Sequence, residues 1–136
     1  MRVLESLFGF ITIPRGVYDE VSGRRPLPQG GWIKIVNLAA RSRYSLLRAD
    51  LDHGESEAIA LCLEQPTDLL IVDDAEARKT ATGLGIAIMG TGGILVLAKR
   101  KGLIPSVREA LQHLDRDGAF RLSSSVRDML LREADE

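Results

Sequence analysis

The sequence predicts an α/β domain with a mainly parallel sheet, and three observations favour this fold class. Short runs that are apolar at every position alternate with longer amphipathic segments, as strands and helices alternate in α/β folds. Two of these runs, 69–72 and 86–89, lack a polar side, which is typical of strands covered on both faces. At 136 residues the chain suits one domain and is short for two.

The first half of the chain is divided by glycine and proline. Gly9 and Gly23 follow helical patterns, and Pro14 suits the first turn of a helix because its φ is already helical. In order, we expect a helix at 3–8, a strand at 10–13, a helix from 14 to 23, a loop at 24–31, a strand at 32–36 and an unpatterned connector at 37–50.

The second half alternates more regularly, and glycines again close its helices. Ser125 and Asp128 have the spacing of a capping box before the last helix. In order, we expect a helix at 54–64, a strand at 69–72, a helix at 74–84, a strand at 86–89, helices at 94–101 and 107–114, and a final helix after 125.

Composition excludes several classes of protein. Hydrophobic residues make up 45% and charged residues 27%, as in soluble globular proteins, and the net charge of −1 gives no bulk attraction to nucleic acid. A polyanion would have to meet a local basic patch. The lone cysteine, Cys62, allows neither an intrachain disulfide nor a thiolate zinc cluster. No membrane span or signal peptide is visible, so we expect a cytoplasmic protein.

Glu55 is the first candidate site residue. It lies three and four residues before Ala58 and Ile59, so the helical period predicts that it shares their core face, whereas Glu57 does not. An acid on a buried face costs free energy unless something satisfies it. The alternative is that Asp52 and Glu55 form a reciprocal helix cap, and the sequence pattern fits both roles.

Asp73 and Asp74 directly follow a predicted strand, at the end where open α/β sheets bind ligands. Capping is again the alternative, with Asp73 and Glu76 at box spacing, but one helix needs only one cap. Glu55, Asp73 and Asp74 together therefore form a candidate site for a hard cation such as Mg²⁺. Such an ion would activate water and offset charge on a phosphoryl oxygen.

Histidines, a glycine-rich run and basic residues are weaker candidates for a functional site. His53 and His113 are expected to be surface or capping residues rather than general bases. The glycine-rich run 90–93 could cradle phosphate but matches neither known phosphate-loop pattern, so a tight turn is favoured. Basic side chains could instead meet a phosphate backbone or complement helix dipoles. The candidate nucleic-acid contacts are Arg78, Lys79, Thr91 and Lys99.

An ordered set of motifs resembles a toxin-like branch of the PIN-domain superfamily. The resemblance covers most of the chain, and the order of the motifs is specific although each is weak alone. The motifs are Ile13-Pro14-x-x-Val17-Tyr18-x-Glu20-Val21, Leu51-Asp52-x-Gly54-Glu55-x-Glu57-Ala58-Ile59, Val72-Asp73-Asp74-x-x-Ala77-Arg78, and Gly90-Thr91-x-Gly93-Ile94-Leu95 with Ala98-Lys99 and Gly102-Leu103-Ile104.

The resemblance implies a three-layer α/β/α sandwich and Mg²⁺- or Mn²⁺-dependent cleavage of RNA. Many relatives are toxins paired with an antitoxin protein, usually as homodimers. Glu55 matches the family acid on the central helix, and Asp74, with Asp73 beside it, matches the acid after the fourth strand. These three are the predicted catalytic and metal-binding residues.

One feature departs from the family pattern. PIN domains open with a central strand that ends in an acid, whereas this sequence begins at what resembles the following helix. We therefore expect the N-terminal strand to be missing and metal binding to be weakened. Unpaired strand edges invite a partner. The alternative function is thus a non-catalytic PIN-like protein that binds a partner or its own copy.

Overall fold

The computed structural model describes residues 3–23, 27, 30–116 and 122–136. These residues form two compact units, one ending at Met89 and one spanning Gly90–Glu136. The elements, in chain order, are α1 (Val3–Phe8), β1 (Ile11–Pro14), α2 (Arg15–Ser22), β2 (Ile33–Val36), α3 (Ser42–Leu47), α4 (His53–Glu64), β3 (Leu70–Ile71), α5 (Ala75–Gly83), β4 (Ile88–Met89), α6 (Thr91–Arg100), α7 (Val107–Arg116) and α8 (Ser124–Glu133).

The strands are parallel, which confirms the mixed α/β class. β1 pairs with β2, with Ile11 opposite Ile33, and β3 pairs with β4, with Leu70 opposite Ile88. Within the described residues these are two separate two-stranded sheets, not the one sheet that we expected. Among these residues, the two pairs are not hydrogen-bonded to each other.

Helix α4 is the centre of the first unit because it contacts β1, β3, α2, α3 and α5. Its neighbours cover it on several sides, so its burial does not follow a single stripe. Glu57 is only 3% exposed, whereas Glu55 is half-buried. The prediction that Glu57 lies away from the core face is therefore wrong, because surrounding elements override the helical period.

Several expected boundaries also change. The connector contains helix α3, and β3 is only two residues long with Ile71 37% exposed, so the predicted fully covered strand is wrong. Ser123 rather than Ser125 caps α8, accepting a hydrogen bond from the Val126 N–H. Part of the predicted loop, 24–26 and 28–29, lies outside the described residues.

The second unit packs α6, α7 and α8 around a small apolar core. Gly92 lies against Leu130 so closely that a Cβ atom there would overlap the leucine side chain. Gly92 therefore allows α6 and α8 to pack closely. Among the described helices, none is long and apolar enough to cross a membrane.

The Glu136 carboxylate binds the start of α7 within the same unit. It accepts hydrogen bonds from the Ser106 hydroxyl and the Val107 N–H, and it pairs with Lys99 Nζ at 3.1 Å. Burial raises the pKa of Glu136, but these hydrogen bonds outweigh it and lower the pKa to about 2. The charged form is therefore part of the folded unit.

Candidate active site

A cleft of about 240 Å³ opens between α2, α4 and β3 in the first unit. Its lining combines acidic and apolar side chains, a combination typical of small-ligand sites. The acidic side chains come from Glu20 of α2, Asp52 before α4 and Glu55 within α4. The apolar lining comes from Val17, Ala58, Ile59, Leu70, Ile71 and Val72.

Asp52 fixes where α4 begins. Its backbone is extended, with φ of −74° and ψ of 178°, and its Oδ1 accepts a hydrogen bond of 2.9 Å from the Glu55 N–H. This confirms the cap that the sequence offered as an alternative for Asp52. Capping and a place in the cleft are compatible, because the cap sets Glu55 in the first turn of α4, beside the opening.

The pKa of Glu55 is raised. Burial is the largest cause, and the carboxylates of Asp52 and Asp74 add to it, while a hydrogen bond from the Asp52 backbone N–H to the Glu55 carboxylate lowers the pKa. Glu55 is thus close enough to Asp52 and Asp74 for like charges to oppose its ionisation. The structure brings two of the three predicted site acids, Glu55 and Asp74, into one electrostatic environment.

Asp74, not Asp73, caps α5. Asp74 Oδ2 accepts a hydrogen bond of 3.0 Å from the Ala77 N–H, so the expected box between Asp73 and Glu76 is wrong. A cap uses one carboxylate oxygen, and a carboxylate has two. Asp73 is exposed, and it is not among the groups that shift the pKa of Glu55.

Comparison with known families settles what kind of domain carries this cleft. The whole chain, residues 1–136, matches a family model described as a PIN domain. The chain belongs to the PIN-domain family. No curated protein and no solved structure matches it. PIN domains are nuclease-type folds and generally use divalent metal ions.

The acids of this PIN domain suit a hydrated ion better than a fully protein-bound one. In the part of the chain that the structure describes, no three His, Cys, Asp or Glu side chains gather in an arrangement that could hold a metal ion. Mg²⁺ commonly takes one or two carboxylates and keeps several waters. Glu55 and Asp74 are the two acids that could take this role, because a cation beside them would relieve the repulsion that contributes to the raised pKa of Glu55.

Two further acids of the PIN domain belong to the cleft although the sequence did not point to them as site residues. The sequence pattern predicts only a capping role for Asp52, and Glu20 belongs to the family motif at 13–21 without a predicted site role, yet both line the cleft. The spacing of Val17 and Glu20 was the available signal, because residues three apart share a helix face. That signal says which side chains lie together, but not which element they face.

The predicted nucleic-acid contacts have different surroundings. In the first unit, Arg78 donates to the Val72 carbonyl at 3.2 Å, and Lys79 is exposed. In the second unit, Lys99 donates to the Ala134 carbonyl at 2.6 Å, and Thr91 begins α6 and is half-buried. Lys99 therefore has a structural role within its own unit, and Lys79 is the most accessible of the four.

Proposed function

We propose that this PIN domain is a divalent-metal-dependent endoribonuclease, with Glu55, Asp73 and Asp74 as its metal ligands. The observation that carries the proposal is the position of Glu55. It lies in a cleft where burial and two neighbouring carboxylates oppose its ionisation. Negative charge concentrated in this way favours a bound cation. Family membership supports the nuclease class.

The residues of the cleft have separate roles in this proposal. Glu55, in the first turn of α4, and Asp74, the N-cap of α5, hold the ion, and Asp73 precedes Asp74 in sequence. The apolar lining, which includes Val17 and Leu70, limits access of water to the cleft. It thereby strengthens electrostatic interactions within the cleft. The bound ion would supply an activated water and offset charge on a phosphoryl oxygen.

The ion, substrate and partners follow from the same chemistry. Carboxylate oxygens suit Mg²⁺ or Mn²⁺, and the substrate class is RNA, whose phosphodiester is the group that such an ion polarises. As for the relatives that the sequence resembles, we propose a cytoplasmic homodimer controlled by an antitoxin protein.

Calorimetric titration with Mn²⁺ tests the metal site directly. We expect saturable binding to the wild-type protein and its loss in Glu55→Gln, because the amide cannot supply an anionic oxygen. Glu76→Gln is the matched control, since Glu76 is exposed in the first turn of α5 and does not line the cleft. Equal binding by wild type and Glu55→Gln would refute Glu55 as a ligand.

Cleavage of RNA tests the chemistry. We expect Asp74→Asn to reduce Mn²⁺-dependent cleavage by at least about 100-fold, while asparagine keeps the cap of α5 because it caps helices as well as aspartate does. Asp73→Asn, measured in parallel, shows whether Asp73 also holds the ion. Full activity in Asp74→Asn would sink the assignment of this residue.

A second candidate is a non-catalytic PIN protein that associates with its own copy. The two strand pairs are not joined, and two large apolar side chains near them, Phe10 and Ile71, are 51% and 37% exposed. Strand edges without a neighbour favour association. Light scattering after size exclusion tests this reading: a stable oligomer without metal-stimulated cleavage supports it, and a monomer that cuts RNA excludes it.

A further inference from the structure

A second pocket, of about 260 Å³, lies on the other side of α4 from the acidic cleft, within the same unit. His53 and Glu57 are one turn apart on α4 and face this pocket, whereas Glu55 and Ala58 face the cleft. The polar side chains that matter here are Arg15, Asp19, Asn37, Arg41, His53 and Glu57. The pocket shares no lining residue with the acidic cleft.

The floor of the pocket is a buried carboxylate whose charge is already compensated. Glu57 Oε1 accepts a hydrogen bond of 2.6 Å from the Gly16 N–H, in the first turn of α2. Its Oε2 lies 3.3 Å from His53 Nε2. Because a helix start and a histidine both stabilise the carboxylate, Glu57 contributes little free negative charge to the pocket.

His53 is fixed from both sides. Its Nε2 faces Glu57, which favours a proton on that nitrogen, and its Nδ1 lies 2.6 Å from the Tyr44 hydroxyl. The edge-to-face contact between the Tyr44 and His53 rings holds the pair in place. The histidine thus belongs to the rigid floor, and binding must come from the rim.

The rim carries two arginines supported by tyrosine rings. The Arg41 guanidinium lies 4.2 Å from the Tyr44 ring centre, and the Arg15 guanidinium lies 5.7 Å from that of Tyr18. Among the residues that the structure describes, neither arginine lies within 4.0 Å of a carboxylate. A guanidinium held on a ring still presents its N–H edge, which matches phosphate oxygens in pairs.

We propose that this pocket binds a phosphate group, with Arg15 and Arg41 as the residues that hold it. Asn37 adds an amide donor, and the exposed Asp19 opposes the ligand and limits its affinity. The phosphate could belong to an RNA backbone or to a free phosphate. The inference concerns binding alone and does not depend on catalysis in the acidic cleft.

The test is an NMR titration of ¹⁵N-labelled full-length protein with inorganic phosphate and with a short single-stranded oligoribonucleotide. EDTA in the buffer keeps divalent metal out of the cleft, so failure of the proposed nuclease would not affect the result. We expect Arg15→Gln and Arg41→Gln each to weaken phosphate binding about tenfold, the loss of one charge-assisted contact. Arg108→Gln, an exposed arginine of the second unit, is the charge-matched control and should leave binding unchanged.

Asp19→Asn is expected to change phosphate binding in the opposite direction from the arginine variants. Removing this carboxylate should tighten binding about threefold if the ligand is an anion. Tighter binding of the oligoribonucleotide than of inorganic phosphate, with loss in both arginine variants, identifies the RNA backbone as the source. Equal binding of the two ligands identifies a free-phosphate site.

Three outcomes would overturn the proposal: no binding of either ligand, weaker binding in Asp19→Asn, or an equal loss in Arg108→Gln. Circular dichroism of each variant checks that the fold is kept. Arg15→Gln leaves the Arg41–Tyr44 contact untouched, so weaker binding in this variant cannot come from the loss of that contact.

Discussion

Two glutamates that are two residues apart on α4 have opposite surroundings. Glu57 is buried, and its carboxylate meets the Gly16 N–H and His53. Glu55 is half-buried, and the charges nearest to it are the carboxylates of Asp52 and Asp74, which raise its pKa. The more deeply buried acid is therefore the better stabilised one.

The difference separates a structural carboxylate from a candidate functional one. A buried charge that is fully hydrogen-bonded holds elements together, and here Glu57 joins α4 to the start of α2. A charge opposed by its neighbours gains nothing from its own surroundings and is available to a cation. Burial alone would have selected Glu57 rather than Glu55 as the candidate functional residue.

The largest expected effect is on stability. Glu57→Gln should lower the free energy of unfolding by about 2 kcal/mol, because the amide loses the charge that faces His53 and the helix start. Glu55→Gln should leave it unchanged within about 0.5 kcal/mol, or raise it slightly. Urea denaturation of both variants measures the difference, and equal losses would remove the distinction drawn between the two glutamates.

A smaller loss of stability is expected when a side chain is added at Gly16, which contacts the Glu57 carboxylate. A Cβ atom at Gly16 would overlap the Glu57 carboxylate and the His53 ring, so Gly16→Ala should destabilise the protein by about 1–2 kcal/mol. Gly83→Ala is the control, because Gly83 is helical with open space around it, and the change should stabilise by up to about 1 kcal/mol. Thermal unfolding of both variants measures the effects, and a stable Gly16→Ala protein would contradict the tight packing of Glu57 on α2.

The smallest expected effects appear in the pH dependence of stability. The pKa of Glu55 is raised, so its contribution is present below the ordinary value of 4.5 and is lost as pH rises through the folded value. Glu136 has the opposite sign: its contribution is present above 4.5 and is lost as pH falls toward about 2.

Unfolding free energies of Glu55→Gln and Glu136→Gln, compared with wild type from pH 2 to 7, measure both contributions. Glu55→Gln should gain stability relative to wild type above pH 4.5, and Glu136→Gln should lose less than wild type between pH 4.5 and 2. Parallel curves for either variant and wild type would show that the altered residue has no such linkage.

Much of the local structure could be predicted from the sequence. The helix ends follow from glycine and proline: Pro14 precedes α2, and Gly85 and Gly102 follow α5 and α6 with φ of +80° and +75°. Such signals act over a few residues and depend little on the rest of the fold. Helix α3, Ser42–Leu47, was missed because its half-buried side chains are only Tyr44 and Leu47, too few to mark an apolar stripe in the sequence.

The sequence by itself determined the α/β class, the parallel strands and the family, and it pointed to Glu55 and Asp74 as candidate residues. These depend on local caps, on residue periodicity and on the order of short motifs. Only the tertiary structure decided that Glu57 is buried while Glu55 lines the cleft, and that Asp74 rather than Asp73 caps α5. The reason is that several elements surround α4, and the partners of its side chains, such as Gly16 and Asp74, are distant in sequence.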